Sequence, residues 1–250
     1  EPSAVDPAAA AADAAARATR MLGATQPESG RFTVVLDPWV TAQLLSIIGS
    51  TLDGDAVAKG RSLFADRLGE SVASPLLTLV DDPTDVRAFT ATDADGEGLA
   101  ARRNVLLVDG VLQRFVHNAQ SARRMGTTST GNAVRGFRSV PSVGCLALAL
   151  APGTSDPSSI LAGIADGVLV QDVAGLHSGV NPVSGDFSTG AEGLRIRGGE
   201  VAEPVREFTI ASTLQRILRD VQAVGFDETF LPMNATGVTL AVADVTVSGR

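Results

Sequence analysis

The chain has 250 residues, 44% of them hydrophobic and 19% charged, so it is long and apolar enough to bury a large core rather than remain disordered. Its net charge of −8 argues against nucleic-acid binding through phosphates, because that mode needs a basic surface. The single cysteine, Cys145, excludes an intrachain disulfide, and no stretch reaches the roughly 18 apolar residues of a membrane helix; we expect a cytoplasmic protein without nucleic-acid or membrane partners.

The first thirty residues are predicted to form an alanine-rich helix and a polar linker. Asp6 is placed to cap the helix, Pro7 suits its first position, and Gly23 marks its end. We expect residues 1–30 to be the remnant of a preceding domain and residues 31–250 to form the main domain.

The first half of the main domain is predicted to contain strands around one long helix. Residues 32–36 form a buried strand, and Asp37-Pro38 then starts a helix with Leu44, Ile47 and Ile48 on one face. Strands are predicted at 76–80 and 86–90. The pair Asp109-Gly110 predicts a type I′ turn in a hairpin over 105–116.

The second half repeats the hairpin pattern around Gly198-Gly199. A strand is predicted over 143–151, a helix over 209–224, and two final strands at 238–242 and 244–247. Because most elements are strands joined by hairpins, we predict an α+β fold with a largely antiparallel, curved sheet and inserted packing helices.

Few residues suit metal or nucleophilic chemistry. The two histidines, His117 and His177, are far apart in the sequence, whereas catalytic zinc usually takes three protein ligands. A G-x-S-x-G nucleophile motif is absent. The basic pairs Arg102-Arg103 and Arg123-Arg124 each lie near a glycine-containing loop and are candidates to bind a peptide carboxylate.

Four stretches together resemble the TldD/PmbA metalloprotease family over nearly everything after residue 30. The motif G-D-F-S-x-G-A, beginning at Gly185, is the most specific of them. The stretches are Asp95-Gly96-Glu97-Gly98 with Arg102-Arg103, residues 121–126 with 129–132, residues 179–191, and Gly199-Glu200 with residues 204–211.

The resemblance implies that zinc-bearing members use an H-E-x-x-x-H helix and a cysteine near the C-terminus. On that match the two histidine positions carry Leu45 and Ser50, the glutamate position carries Ser46, and the cysteine position carries Ala235. Leucine and alanine offer no lone pair, and serine is a poor zinc ligand. We therefore expect no zinc and no other cofactor in this chain, and zinc in a partner subunit.

This pattern is similar to the PmbA, or TldE-like, branch of the family. The resemblance implies a non-catalytic subunit that pairs with a TldD-like zinc-bearing subunit to degrade unfolded peptides or trim leader peptides. We name Arg103, Asn132 and Asp186 as candidate substrate-binding residues. Two alternatives stay open: a stand-alone peptide hydrolase using the loops at 127–132 or 184–188, and a peptide-binding scaffold or homodimer without zinc.

Overall fold

The computed structural model describes residues 6–250, except for the side chain of His177. Within this part of the chain none of the helices is long and apolar enough to cross a membrane. Residues 1–5 of the predicted N-terminal unit lie outside the described residues. The helices are Pro7–Arg20 (α1), Pro38–Thr51 (α2), Gly54–Ala58 (α3), Ala119–Arg124 (α4), Pro157–Ala162 (α5), Leu176–Gly179 (α6) and Leu214–Arg219 (α7).

The strands divide into two main sheets and two short pairs. Their bounds are Gly30–Leu36 (β1), Leu79–Asp81 (β2), Asn104–Val108 (β3), Val111–Leu112 (β4), Ala133–Val134 (β5), Ser142–Val143 (β6), Leu148–Leu150 (β7), Asp166–Ala174 (β8), Asp186–Arg197 (β9), Glu200–Thr213 (β10), Val221–Val224 (β11), Thr229–Phe230 (β12), Thr236–Gly237 (β13) and Leu240–Ser248 (β14).

The larger sheet closes on itself. Strands β1, β8, β9, β10 and β14 are hydrogen-bonded in that order, and β14 pairs again with β1 to complete the ring. The β1–β8 pairing is parallel and the other pairings are antiparallel. The mixed α and β composition is as predicted. The curved sheet of the prediction is corrected to a closed five-stranded sheet with β11 added beside β14.

Helix α2 lies between the closed sheet and a four-stranded sheet of order β4-β3-β2-β7. Leu44 faces Val34 and Val242 of the closed sheet, while Leu45 and Ile48 line a small cavity with leucines of the other sheet. Eight of the fourteen α2 residues are buried. Because burying one large aliphatic side chain contributes about 1.5–3 kcal/mol, these contacts dominate the placement of the helix.

Local turn signals predicted the hairpins correctly. Asp109 and Gly110 have φ angles of 47° and 77°, which is the positive pair that a type I′ turn requires. Gly198 and Gly199, with φ of 58° and 85°, join β9 to β10 in the same way.

Several predicted elements differ from the structure. The strand predicted over 143–151 contains only the last residue of β6 and the three residues of β7, and the second strand of the hairpin predicted over 105–116 ends at Leu112. Residues 209–213 belong to β10, so the predicted helix over 209–224 shrinks to α7 and is followed by β11. Residues 86–90 form turns instead of a strand. The two final strands are one strand, β14, in which Asp244 takes a φ of 55°.

Candidate functional site

Helix α2 carries three of the positions matched to the zinc motif, and a buried carboxylate fixes where it starts. One oxygen of Asp37 accepts the backbone N–H of Val40 at 2.9 Å, and the other pairs with Arg17 of α1 at 3.0 Å. Burial raises the pKa of Asp37, although the Val40 N–H and Arg17 oppose that shift. The cap therefore joins α1 to the start of α2.

Ser46 connects α2 to the segment that contains Ala235. Its hydroxyl donates to Oδ1 of Asn234 at 2.9 Å. The side-chain amide nitrogen of Asn234 lies 3.3 Å from the backbone carbonyl oxygen of Cys145. The backbone carbonyl oxygen of Asn234 accepts the N–H of Leu148 at 2.8 Å. This one asparagine thus joins α2, the start of β7 and the approach to β13.

The side chains at the four matched positions do not fit a zinc ion. Leu45 and Ala235 are buried and have no donor atom. The Ser50 hydroxyl donates to the carbonyl oxygen of Ile47 at 2.6 Å, and that of Ser46 is bonded as described above. Among the described residues, no group of three or more histidine, cysteine, aspartate or glutamate side chains is placed to hold a metal.

Asn132 lies in a buried polar network and is fully enclosed. Its amide nitrogen donates to Oδ2 of Asp81 at 2.6 Å and to the Gly144 carbonyl at 3.1 Å. Its Oδ1 accepts hydrogen bonds from Asn104 and Thr130. The side chain is fully used inside the fold, so a contact with a peptide would require this network to open.

Asp81 is the charged centre of that network. It has no exposed surface, and its Oδ1 accepts the backbone N–H groups of Leu146 and Ala147 at 2.8 and 2.7 Å. Burial raises the pKa of Asp81, while the hydrogen bonds from Ala147, Asn132 and Leu146 oppose the rise. The carboxylate holds β2 against the segment that leads into β7.

The other two candidate substrate residues are exposed and lie apart. Arg103 precedes β3 and approaches Asp82 at 3.6 Å. Asp186 begins β9 in the closed sheet, where it pairs with Thr213 in β10 and accepts the Ser184 hydroxyl at 2.6 Å. Arg103 adjoins Asn104 and hence the Asn132 network, whereas Asp186 belongs to the other sheet.

His117 is buried and packs against other parts of the fold. Its ring is buried, with Nδ1 3.1 Å from the hydroxyl of Ser121, and it packs directly on the backbone of Gly54, where any Cβ would lie 2.1 Å from the ring. Burial lowers the pKa of His117. The ring is therefore packed between α3 and α4.

Sequence reasoning missed Asn234 and Asp81. Asn234 meets Ser46 across 188 residues of sequence, and Asp81 meets Leu146 across 65. The signal that was available for Asp81 was its position at the end of an apolar stretch, where a carboxylate needs internal partners.

Comparison with solved structures identifies the class of fold. The chain superposes on TldE from Thermococcus kodakarensis with a TM-score of 0.88 and 29% sequence identity, covering 95% of this chain and 54% of that one. The closed sheet, the second sheet and the helix between them therefore share the fold of the matching part of that protein.

The family follows from the sequence. Residues 29–249 match the PmbA/TldA metallopeptidase C-terminal domain, so the chain belongs to the TldD/PmbA family. It is 32% identical over 213 residues to a metalloprotease of Methanothermobacter thermautotrophicus, covering 84% of this chain and 46% of that protein. It is 28% identical over 254 residues to a TldD homologue of Haemophilus influenzae, covering 96% and 52%. The chain thus spans about half the length of these relatives.

Proposed function

We propose that this chain is the non-catalytic, TldE-like member of a two-subunit metalloprotease whose zinc lies in a TldD-like partner. The pair would degrade unfolded peptides or trim leader peptides. The observation that carries the proposal is the set of side chains at Leu45, Ser46, Ser50 and Ala235. None of them is a histidine, a carboxylate or a thiolate, and both hydroxyls are occupied by hydrogen bonds within the chain.

Overall similarity alone does not favour this role. A PmbA homologue and a TldD homologue, both of Haemophilus influenzae, are 30% and 28% identical to the chain. The likeness to TldE of Thermococcus kodakarensis supports the proposal without deciding it. The chemistry at the four positions is the discriminating argument, because water activation by zinc needs ligands that those residues lack.

Metal content and peptide hydrolysis test the proposal together. The purified chain is expected to bind no stoichiometric zinc and to leave an unfolded peptide intact. Co-expression with a zinc-bearing relative from the same host should yield a complex that cleaves the peptide and loses this activity with a chelator. The control is that relative expressed alone.

Two results would refute this assignment. Cleavage by the chain alone that resists a chelator would favour a stand-alone hydrolase. Recovery of this chain only as a monomer or homodimer, beside an active zinc-bearing relative, would favour a scaffold without a protease partner.

A further inference from the structure

Positive charge is concentrated in one segment of this acidic chain. Residues 100–140 contain seven of the 20 basic residues and one of the 28 acidic residues, which leaves a net charge of +6 on the segment and −14 on the rest. The overall charge of −8 conceals this separation.

Five of these arginines are exposed and unpaired: Arg102, Arg114, Arg123, Arg135 and Arg138. Among the described residues, every ion pair within 4 Å involves other basic groups, including the neighbouring Arg103 and Arg124. We call these five guanidinium groups, with the side chains of Phe137 and Val140, the arginine surface.

Hydrogen bonds between backbone and side-chain groups bring the elements of the arginine surface together. The carbonyl oxygen of Ala133 in β5 accepts the N–H of Gly96 at 2.8 Å, and a carboxylate oxygen of Glu97 accepts the N–H of Ala119 at the start of α4 at 2.8 Å. The amide nitrogen of Asn118, which caps α4, lies 3.4 Å from the Pro141 carbonyl. Residues 93–101, α4 and the β5–β6 hairpin are therefore contiguous.

The same network places the remaining two arginines beside these elements. The side chain of Arg114 donates to Oδ1 of Asn104 at 3.3 Å, and the Asn104 amide donates to the carbonyl oxygens of Arg102 and Thr130. Arg102 and Arg114 thus flank the loop that leads into β5.

The hairpin tip adds exposed apolar groups to this charge. Phe137 and Val140 are 92% and 84% exposed, and they lie on the same loop between β5 and β6. The guanidinium of Arg138 lies 5.3 Å from the Phe137 ring centre. The tip therefore combines apolar and cationic contacts on one short loop.

Three carboxylates on the adjoining loop, at positions 93, 95 and 97, reduce the net charge from +6 over residues 100–140 to +3 over residues 93–140, which is still positive. Glu97 is held by the N–H of Ala119, Asp82 faces Arg103, and the buried Asp95 accepts the backbone N–H groups of Glu97, Leu99 and Ala133. Asp93 is the exposed carboxylate that remains in this loop.

We infer that the arginine surface binds an acidic segment of polypeptide that also carries apolar residues. Charge complementarity supports this occupant, since arginine pairs with carboxylates through two parallel hydrogen bonds. A short peptide fits within the +6 segment, whereas a long polyanion would extend over the −14 remainder and be repelled. The inference rests on the proposed function, because it names the class of peptide that the subunit holds.

Fluorescence anisotropy with the purified chain tests the inference without any protease partner. The probe is a labelled peptide of about twelve residues that alternates glutamate and leucine, and its match replaces every glutamate by glutamine. We expect the acidic probe to bind about tenfold more tightly than its match, and its affinity to fall as salt is added.

Matched variants locate the binding. One variant changes four arginines of the surface, Arg102→Gln, Arg114→Gln, Arg135→Gln and Arg138→Gln, and should bind the acidic probe about tenfold more weakly. The control removes the same charge elsewhere, through Arg20→Gln, Arg61→Gln, Arg206→Gln and Arg219→Gln, and should bind as the unaltered chain does. Circular dichroism checks that both variants are folded.

The inference is overturned if the two peptides bind equally, if both quadruple variants behave alike, or if a single-stranded oligonucleotide of equal charge binds more tightly than the acidic peptide. Should the surface variant not fold, the charge reversal Arg135→Glu with Arg138→Glu on the exposed hairpin replaces it, and weaker binding of the acidic probe is again required. Because this assay uses neither zinc nor a partner subunit, its failure leaves the proposed two-subunit function untouched and is distinguishable from a failure of the metal and hydrolysis tests.

Discussion

Replacing Asn132 by alanine should separate a structural role from a substrate-binding one. The side chain donates to Asp81 and Gly144 and accepts from Asn104 and Thr130. A hydrogen bond to a buried carboxylate contributes about 1.5–3 kcal/mol and each neutral one about 1 kcal/mol, with part recovered if water enters. We expect the free energy of unfolding to fall by about 3–5 kcal/mol.

The loss should depend on pH, through Asp81. Burial places its folded pKa above the ordinary value, so the folded state binds the proton more tightly and stability decreases as the pH rises between the unfolded and folded pKa values. The facing carboxylate of Asp82 acts in the same direction. Without the Asn132 donor the folded pKa of Asp81 rises further. The variant should therefore lose more free energy of unfolding near neutral pH than at about pH 4.

Urea denaturation at several pH values measures both effects, with binding of an unfolded peptide measured beside it. Asn181→Ala is the control, because Asn181 is exposed and accepts two local backbone N–H groups. If Asn132→Ala leaves the unfolding midpoint unchanged but weakens peptide binding, the structural reasoning fails. The structural reasoning also fails if the loss in free energy of unfolding caused by Asn132→Ala is equal at every pH.

Three further changes probe the region around α2. Ser46→Ala removes the hydrogen bond to Asn234 and should lower the free energy of unfolding by about 1 kcal/mol in urea denaturation, and an unchanged midpoint would contradict that link. Gly237→Ala places a Cβ 1.9 Å from a backbone carbonyl oxygen and should lower the free energy of unfolding by more than about 3 kcal/mol. At Gly60 nothing lies within 4 Å, so Gly60→Ala should lower it by only about 1 kcal/mol, because of the positive φ. Equal losses in the two variants would contradict the packing argument. Burial raises the pKa of the Cys145 thiol well above its ordinary value, so a thiol reagent should label the chain only after denaturation, and rapid labelling of the native chain would refute this.

Elements whose signals are local were predictable. The turn at Asp109-Gly110 depends on two residues that accept positive φ, and the start of α2 depends on Asp37 followed by proline. Both signals act within a few residues of sequence, so no knowledge of the rest of the fold was needed.

The predicted helix over 209–224 failed for the opposite reason. Its apolar residues suit a helical period, but Ile210 pairs with Thr189 of β9 and Val247 of β14. Pairing with two neighbours across the closed sheet outweighs a weak local preference. The closure of the sheet likewise depends on β1 meeting β14, more than two hundred residues later in the chain.

At the site, residue identities were available from the sequence but their partners were not. Leu45, Ser46, Ser50 and Ala235 were named from the resemblance, and their chemistry follows from the side chains themselves. The contact that joins Ser46 to Asn234 forms between distant segments and has no local signal. Burial of Asn132 was hidden for the same reason, since a Thr/Gly-rich loop usually lies at the surface.

The contacts that anchor α2 do not involve a metal ion. Leu45 contributes to the apolar contact with the second sheet, where a histidine would place a polar ring. The backbone of Gly237 lies against the carbonyl of Pro38 at the start of the helix, and Ser46, which follows Leu45, is bonded to Asn234. Two of these contacts hold α2 against the segment around Ala235, and the third holds it against the second sheet. Under the proposed function, such a subunit would keep the shape of a family member while its peptide contacts changed, because no catalytic ion would have to be maintained.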